Sequence, residues 1–200
     1  MSDDPSMTYF LLIVNILFYI ILAYLSSSWL EIDRYWMAKF GLNNAAFLSG
    51  AYYQILTSMF AHFNFPHLGY NMVFLAIFGA KAEQVYGSKY LLLIYVVCGL
   101  FASSVSFFYP LGTISAGASG AIFGILGTVL IANRNQYSGG TSTSLFYGFV
   151  FFILAATTGF LAHLVGLIFG FILGYWITRD WYPKEDEPEI EEFLDLLEPE

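Results

Sequence analysis

Residues 117–124 read GASGAIFG and begin one of the long apolar runs of this chain. Gly120, Gly124 and Gly127 make a small-residue face beside Ser119 on the predicted helix, because residues three or four positions apart lie on the same side. Such faces let two membrane helices pack backbone against backbone. A serine in this setting is most often a packing residue that bonds its own helix. Ser119 therefore indicates chemistry only if other polar groups lie at the same depth.

The composition is that of an integral membrane protein. Of 200 residues, 58% are hydrophobic, 20% aromatic and only 11% charged, and the mean hydropathy is +0.67. Water-soluble domains carry about 25% charged residues, so this class is excluded. No basic patch with aromatic residues suggests a nucleic-acid partner. The single cysteine, Cys98, lies in an apolar run and cannot form an intrachain disulfide.

Six apolar runs predict an all-α, polytopic membrane protein with a bundle of six transmembrane helices. The predicted spans are residues 7–25, 67–81, 90–109, 117–133, 145–157 and 159–177. The acidic start, MSDDPS, leads into the first span without a small-residue cleavage site, so we expect this span to be retained. The first loop, residues 26–66, is rich in aromatic residues and is predicted to be partly helical and half embedded in the membrane.

The basic residues predict the orientation of the chain. Five of the seven fall on one side of the membrane if the N-terminus is cytoplasmic. These five are Lys81, Lys89, Arg134, Arg179 and Lys184, whereas Arg34 and Lys39 lie in the first loop. Because cytoplasmic loops are enriched in Lys and Arg, we expect a multi-pass protein of the cell membrane with both termini in the cytoplasm.

The end of the chain differs from the rest in charge. Residues 182–200 hold nine of the fifteen acidic residues, and the remainder carries six acidic and six basic residues. This contrast divides the chain into a membrane domain at 1–181 and an acidic tail at 182–200. We predict that the tail is solvated and largely disordered.

The three histidines are the first candidates for chemistry. His62 and His67 lie in AHFNFPHLGYN, and His163 lies in FLAHLVGLIFG. Ionisable groups inside a membrane are costly and indicate function. Counted from the basic residue that ends each span, Ser119, His163 and His67 lie 15, 16 and 14 residues away. At about 1.5 Å per helical residue, the three lie roughly 21–24 Å from the cytoplasmic ends. A hydroxyl and two imidazoles at one depth suit a nucleophile, its base and a polarising donor.

Glycine spacing indicates that Ser119 and His163 can meet. Gly166, Gly170 and Gly174 follow His163 at three, seven and eleven residues and share its helix face. Packing of this face against the glycines of the Ser119 span would bring both side chains within hydrogen-bond distance. Asp and Glu residues fall outside this depth, so the sequence predicts a Ser-His dyad and not a Ser-His-Asp triad.

Two groups could stabilise an oxyanion beside this dyad. The loop YPLGTISA and Gly117 place Ser119 in the first turn of its helix, where backbone N–H groups have no intrahelical partner. Free donors beside a nucleophile can form an oxyanion hole. Asn71 follows His67 by one helical turn and offers an amide donor on the same face. The alternative is that these groups only hold the bundle together through interhelical hydrogen bonds.

Three histidines could instead bind zinc. The HxxxxH spacing of His62 and His67 does not place both on one helix face, and no metalloprotease motif accompanies them. We therefore expect no metal and no cofactor.

Together, these motifs resemble the rhomboid family of intramembrane serine proteases. The resemblance runs from about residue 52 to 175 through HFNFPHLGYN, AEQVYG, GASGAIFG and AHLVGLIFG, in the family's order and spacing. It implies a six-helix fold with a water-filled cavity open to the outer side. In that cavity Ser119 would be the nucleophile and His163 the general base and acid. The oxyanion would be stabilised by His67, Asn71 and the Ser119 backbone N–H.

The resemblance also implies supporting residues and a substrate. His62 matches a structural histidine of the family, and Phe123 takes a position where some members have a tyrosine packed near the base. The supporting glycines are Gly117, Gly120, Gly166 and Gly170. The substrate would be a single-span membrane protein, cleaved near the outer membrane face after its helix unwinds locally, with water as the second substrate. Tyr53 and Gln54 stand where many members have a Trp-Arg pair, which leaves the anchoring of the first loop open.

Two other functions remain as alternatives. A non-catalytic member of the same fold would bind and escort membrane clients, but such relatives typically lack the serine or the histidine, and this chain has both. A channel or transporter would carry charged or broken helices along a path through both halves of the membrane. The polar groups here gather near one side.

Overall fold

The structure, a computed structural model, describes residues 5–155 and 159–179. The helices are α1 (Ser6–Leu25), α2 (Arg34–Phe40), α3 (Asn44–Leu48), α4 (Gln54–Thr57), α5 (Phe65–Phe74), α6 (Ala80–Tyr86), α7 (Ser88–Ser104), α8 (Ser119–Ala132), α9 (Gly140–Ala155) and α10 (Phe160–Thr178). The strands are β1 (Leu42–Asn43) and β2 (Ile114–Ser115). A π-helical turn at Leu75–Gly79 joins α5 to α6, and 3₁₀ turns lie at Val105–Phe108 and Arg134–Gln136.

Helical segments lie at all six predicted spans, although the last two residues of the fifth, 156–157, lie outside the described residues. The prediction of an all-α polytopic membrane protein is confirmed. Among the described residues, three helices are long and apolar enough to cross a membrane, and α8 and α9 are shorter apolar helices. The segment formed by α5 and α6 continues to residue 86, and α9 begins at residue 140. The helical residues added at these two ends include polar or charged side chains, so a search for apolar runs does not include them. The predicted acidic tail lies outside the described residues.

Helix α8 lies at the centre of the bundle, between α7 and α10. Twelve of its fourteen residues are buried, and a helix that is apolar on all sides belongs in the interior. Its backbone touches that of α10 through glycines. A Cβ added to Gly166 would overlap the backbone of Gly120. A Cβ added to Gly170 would likewise overlap that of Gly124. The two helices therefore pack as closely as the small-residue faces predict.

The N-terminus of α1 is capped by a side chain of α6. Glu83 accepts hydrogen bonds from the backbone N–H groups of Met7 and Thr8, both at 2.8 Å, and from the Thr8 hydroxyl at 2.7 Å. The Ser88 hydroxyl donates to the same carboxylate at 2.6 Å. Pro5 precedes α1 and supplies no side-chain capping bond. The donors that a helix start leaves free are thus satisfied from across the bundle.

The first loop is anchored by the side-chain amide of Gln54, which stands at one of the two positions where the sequence resemblance implies a Trp-Arg pair in many relatives. Its buried amide nitrogen donates to the carbonyls of Ala38 at 2.8 Å and Lys39 at 3.2 Å. Its oxygen accepts from the Asn43 N–H at 3.1 Å. Helices α2, α3 and α4 confirm that the loop is partly helical. Its large exposed aromatic side chains suit a segment in the membrane interface.

The two short strands join the first loop to the segment that leads into α8. They are antiparallel, with Leu42 opposite Ser115 and Asn43 opposite Ile114. The chain that approaches Ser119 is therefore paired with the first loop a few residues before α8 begins.

The hydrogen bonds that Glu83 accepts should make the stability of the folded protein depend on pH. Glu83 follows residue 81, where the predicted second span ends. Burial raises the pKa of its carboxyl, but the hydrogen bonds from Ser88, Met7 and Thr8 outweigh burial, so the pKa lies below its ordinary value. A lowered pKa in the folded state gives stability that is present above the unfolded-state pKa and is lost as the pH falls through the folded-state pKa. Acid should therefore destabilise the wild type.

The Glu83→Gln variant tests this network. At neutral pH it should lower the free energy of unfolding by about 2 kcal/mol, since hydrogen bonds to a charged group are the strong ones. Its stability should also depend less on pH between the two pKa values. SDS-induced unfolding in mixed micelles measures both effects. Ser88→Ala removes one donor and should cost less. Equal stability of wild type and Glu83→Gln at neutral pH would contradict this account.

Candidate active site

Ser119 and His163 lie in direct contact. The Ser119 Oγ is 2.7 Å from the His163 Nε2, a hydrogen-bond distance. Ser119 is the first residue of α8, and His163 lies in the first turn of α10. The close glycine packing of these helices brings the short side chains together. An imidazole nitrogen at this distance can take the proton of the hydroxyl, which activates the oxygen as a nucleophile.

Phe123 orients the imidazole of His163. It lies one helical turn after Ser119, and its ring stacks on the imidazole with centroids 4.5 Å apart and planes 14° from parallel. The His163 Nδ1 is buried and has no hydrogen-bond partner among the described residues. Among the described residues, the ring is therefore held by stacking on Phe123 and not by a carboxylate.

The His67 imidazole lies against Gly117, two residues before Ser119. Gly117 has φ +129°, and a Cβ there would lie 2.9 Å from the Cε1 and Nε2 atoms of His67. The same Cβ would lie 3.7 Å from the Ser119 Oγ. Only glycine combines this backbone conformation with this contact. The Asn64 side chain caps α5 by accepting from the His67 N–H at 2.9 Å, which fixes His67 in the first turn of that helix.

Asn71 lies one turn further along α5 and lines the same cavity. Its amide nitrogen donates to the carbonyl of His67 at 2.8 Å. This bond uses one of the two amide hydrogens, so the nitrogen retains a second donor. The structure thus brings Asn71 and His67 to the cavity that holds the dyad.

His62 lies outside this donor set. It is fully buried, and its ring meets the His67 ring edge to face with centroids 5.1 Å apart. Its Nδ1 is 3.1 Å from the carbonyl oxygen of Phe60. The position of His62 is that of a packing residue beneath His67. In the part of the chain that the structure describes, no three His, Cys, Asp or Glu side chains lie close enough to hold a metal ion.

The dyad opens into a cavity of about 1210 Å³. One part of its wall is aromatic and includes Phe63, Phe74, Phe78, Phe123 and Phe151. Another part carries hydroxyl groups, from Ser58, Ser103, Ser106, Thr113 and Ser115. None of the described residues that line the cavity is Asp, Glu, Lys or Arg. The cavity therefore offers uncharged hydrogen-bond partners beside an apolar surface.

The aromatic cluster of this wall was not predicted from the sequence. Phe74 and Phe78 stack with centroids 6.0 Å apart, and Phe151 of α9 meets both rings edge to face at 5.7 and 5.4 Å. A signal was present, since Phe74 and Phe78 follow His67 by seven and eleven residues, a helical-face spacing. Nothing local indicated that α9 would supply the third ring.

Known proteins resemble this chain over most of its length. A family model described as the Rhomboid domain matches residues 49–180. The Rhomboid protease GluP of Bacillus subtilis is 33% identical over 85% of this chain and 34% of its own length. The Rhomboid-like protein 11, chloroplastic, of Arabidopsis thaliana is 29% identical over 64% of this chain and 54% of its own length. The Putative rhomboid protease YdcA of Bacillus subtilis is 29% identical over 66% of this chain and 70% of its own length. The chain therefore spans a third of GluP and half of the chloroplast protein.

The contact between α8 and α10 can be tested by one methyl group. Gly166→Ala should force the helices apart, because the added Cβ would overlap the backbone of Gly120. Overpacking of this kind costs about 1–3 kcal/mol, and SDS-induced unfolding should show a loss of that size. Gly69→Ala is the matched control, since a Cβ there meets nothing within 4 Å. If both variants were equally stable, the close packing would be refuted.

Proposed function

The chain belongs to the rhomboid family, and on that premise we propose that it is an intramembrane serine protease. It hydrolyses a peptide bond in or near the transmembrane segment of single-span membrane proteins. The observation that best supports this proposal is the 2.7 Å contact between the Ser119 Oγ and the His163 Nε2. Family members named as proteases, such as GluP, add to it.

The first half of the reaction forms an acyl-enzyme. The Ser119 Oγ attacks the carbonyl carbon of the scissile bond while the His163 Nε2 takes its proton. The negative charge that develops on the carbonyl oxygen faces three donors, namely the Ser119 N–H, His67 and Asn71. His163 then gives its proton to the leaving amine, the C–N bond breaks, and the new N-terminus departs.

Water completes the reaction. It attacks the ester while His163 again takes a proton, and the return of that proton to the Ser119 oxygen releases the carboxyl product. Water has to reach a site inside a membrane protein. The hydroxyl-bearing wall of the cavity gives it hydrogen-bond partners close to the dyad.

The substrate has to present an extended segment. In a transmembrane helix every backbone carbonyl is bonded within the helix, so the scissile carbonyl becomes accessible only where the helix unwinds. Small or helix-weakening residues near the outer membrane face favour such unwinding. The aromatic cluster of Phe74, Phe78 and Phe151 lies at the cavity wall formed by α5, the π-helical turn and α9, where a segment arriving from lipid would meet it.

The orientation forms part of the proposal. We place both termini in the cytoplasm of a cell-membrane protein, because five of the seven basic residues then lie on the cytoplasmic side. The dyad and its cavity then open toward the outer face of the membrane.

The second candidate is a non-catalytic rhomboid that binds membrane clients. Several Arabidopsis relatives are named rhomboid-like proteins without the word protease. The dyad contact favours the protease, since a client-binding protein has no need of a serine oxygen held against an imidazole nitrogen.

Ser119→Ala and His163→Ala should each abolish proteolysis, because they remove the nucleophile and its base. The assay uses the full chain in liposomes with a labelled single-span substrate that carries small residues near its outer end. Products are followed by gel and mass spectrometry. Ser104→Ala is the matched control, because this hydroxyl bonds the Phe101 carbonyl at 2.7 Å and does not belong to the cavity wall. It should cleave like the wild type, with or without a zinc chelator. Stable binding of several substrates without cleavage by wild type would favour the client-binding function.

Asn71→Ala should leave a slow residual reaction. Loss of one oxyanion donor costs about 10²–10³-fold in kcat, so kcat should fall by that factor while KM changes little. The measurement is steady-state cleavage of the same substrate. A kcat equal to that of wild type would remove Asn71 from the oxyanion donors.

A further inference from the structure

We propose that the first loop positions the segment that leads into the nucleophile, and that Asn44 is the main positioning residue. This inference rests on the proposed protease function. It concerns residues 109–118, which connect the 3₁₀ turn after α7 to Ser119 and carry the backbone toward the oxyanion site. Apart from the short strand β2, this segment has no regular secondary structure, so its position depends on contacts with other parts of the chain.

Asn44 makes the first of these contacts. It is 2% exposed, and its amide nitrogen donates to the carbonyls of Ser106 at 2.5 Å and Tyr109 at 3.0 Å. The backbone N–H of the next residue, Ala45, donates to the Leu111 carbonyl at 3.3 Å. Carbonyls at the end of a helix lack intrahelical partners. The Ser106 carbonyl also accepts from the Tyr109 N–H at 2.9 Å, so Asn44 adds a second bond there and binds the Tyr109 carbonyl just after the turn. One residue of the first loop thus fixes where the segment starts.

The strand pair makes the second contact. Gly41 precedes β1 and lies against β2, where a Cβ on Gly41 would be 2.8 Å from the Cγ2 of Ile114 and 3.2 Å from the carbonyl oxygen of Ser115. Gly41 has φ −73°, which alanine adopts without strain. A methyl group at this position would also lie 2.7 Å from the Met37 carbonyl oxygen of α2. It would therefore disturb the packing of β2 against the end of α2.

The third contact lies next to the nucleophile. The N–H of Gly117 donates to the carbonyl of Ser58 at 2.8 Å. Gly117 is two residues before Ser119, and the His67 imidazole packs against Gly117. The first loop thus holds the segment at its start, its middle and its end.

These contacts affect the oxyanion site more than the dyad. The distance from Ser119 to His163 is set by the glycine packing of α8 on α10. The first loop takes no part in these glycine contacts. The segment instead determines the position of the cavity wall beside Ser119, and hence the distance of that wall from the carbonyl of a bound substrate. A displacement of about 1 Å in such a wall can cost up to 10²-fold in rate. The expected defect therefore lies in kcat.

Asn44→Asp and Gly41→Ala are the test variants, in the full chain in liposomes with the labelled single-span substrate. Asn44→Asp keeps the side-chain shape, removes both amide hydrogens, and places a carboxylate oxygen against the carbonyls of Ser106 and Tyr109. Gly41→Ala disturbs the same segment through a different contact. Ser49→Ala is the matched control, because its hydroxyl bonds only the Ala45 carbonyl of its own short helix at 2.9 Å. The readouts are kcat, KM, thermal unfolding, and the rate at which a fluorophosphonate labels Ser119.

Both test variants should lower kcat about tenfold, with KM within about twofold of wild type and with full fluorophosphonate labelling of Ser119 at long times. The control should keep the wild-type kcat. A kcat within twofold of wild type in both variants would overturn the inference. It would also be overturned if kcat fell only in proportion to the fraction of protein that labels, since that result means loss of folded enzyme.

The same experiment separates this inference from the proposed function. Wild type that neither cleaves the substrate nor becomes labelled at Ser119 would refute the protease function, and the inference with it. Wild type that does both, while Asn44→Asp and Gly41→Ala match it in kcat, would refute only the positioning role of the first loop.

Discussion

The backbone contact between α8 and α10 is the constraint on which the site depends. A membrane interior offers no hydrophobic driving force between helices, so close approach has to come from small residues and direct packing. Here the glycines of α10 lie on the backbone of α8, and even one Cβ at Gly166 or Gly170 would overlap it. This spacing lets a serine and a histidine, both with short side chains, meet at 2.7 Å. The contact between Ser119 and His163 thus depends on the absence of side chains from the glycines that separate the two helices.

Most polar side chains that are buried in the described part of the chain act through fixed partners. Glu83 has its four donors, and Gln54 uses both ends of its amide on the first loop. In a low-dielectric interior such bonds are strong, and leaving one unmade is costly. His163 is one of four described side chains with a buried polar atom that has no hydrogen-bond partner among the described residues. Its Nδ1 is that atom, and its ring stacks on Phe123. Within the described residues, one ring nitrogen of His163 therefore has no partner and the other contacts the Ser119 Oγ.

Features that repeat along one helix could be predicted from the sequence, including the glycine faces that bring α8 and α10 together. Contacts between distant segments that no repeated pattern marks could not. Apolar runs gave the membrane class, and glycine spacing with a common depth singled out Ser119 and His163. Asn44, in contrast, lies in an ordinary polar stretch, and its partner Ser106 is 62 residues away. Phe151 joins the aromatic cluster only because α9 packs where it does. In both cases the partner is chosen by the arrangement of the bundle, about which local periodicity carries no information.

The capping of α1 by α6 has a consequence for how the molecule is made. Met7 and Glu83 are 76 residues apart, so the ribosome completes α1 well before the carboxylate that caps it. At about 5–20 residues per second, the interval between the synthesis of Met7 and that of Glu83 is roughly 4–15 seconds. Throughout that time the N–H groups at the start of α1 are served by water or lipid headgroups at the membrane surface. During this interval α1 therefore lacks the Glu83 carboxylate that caps it in the folded protein.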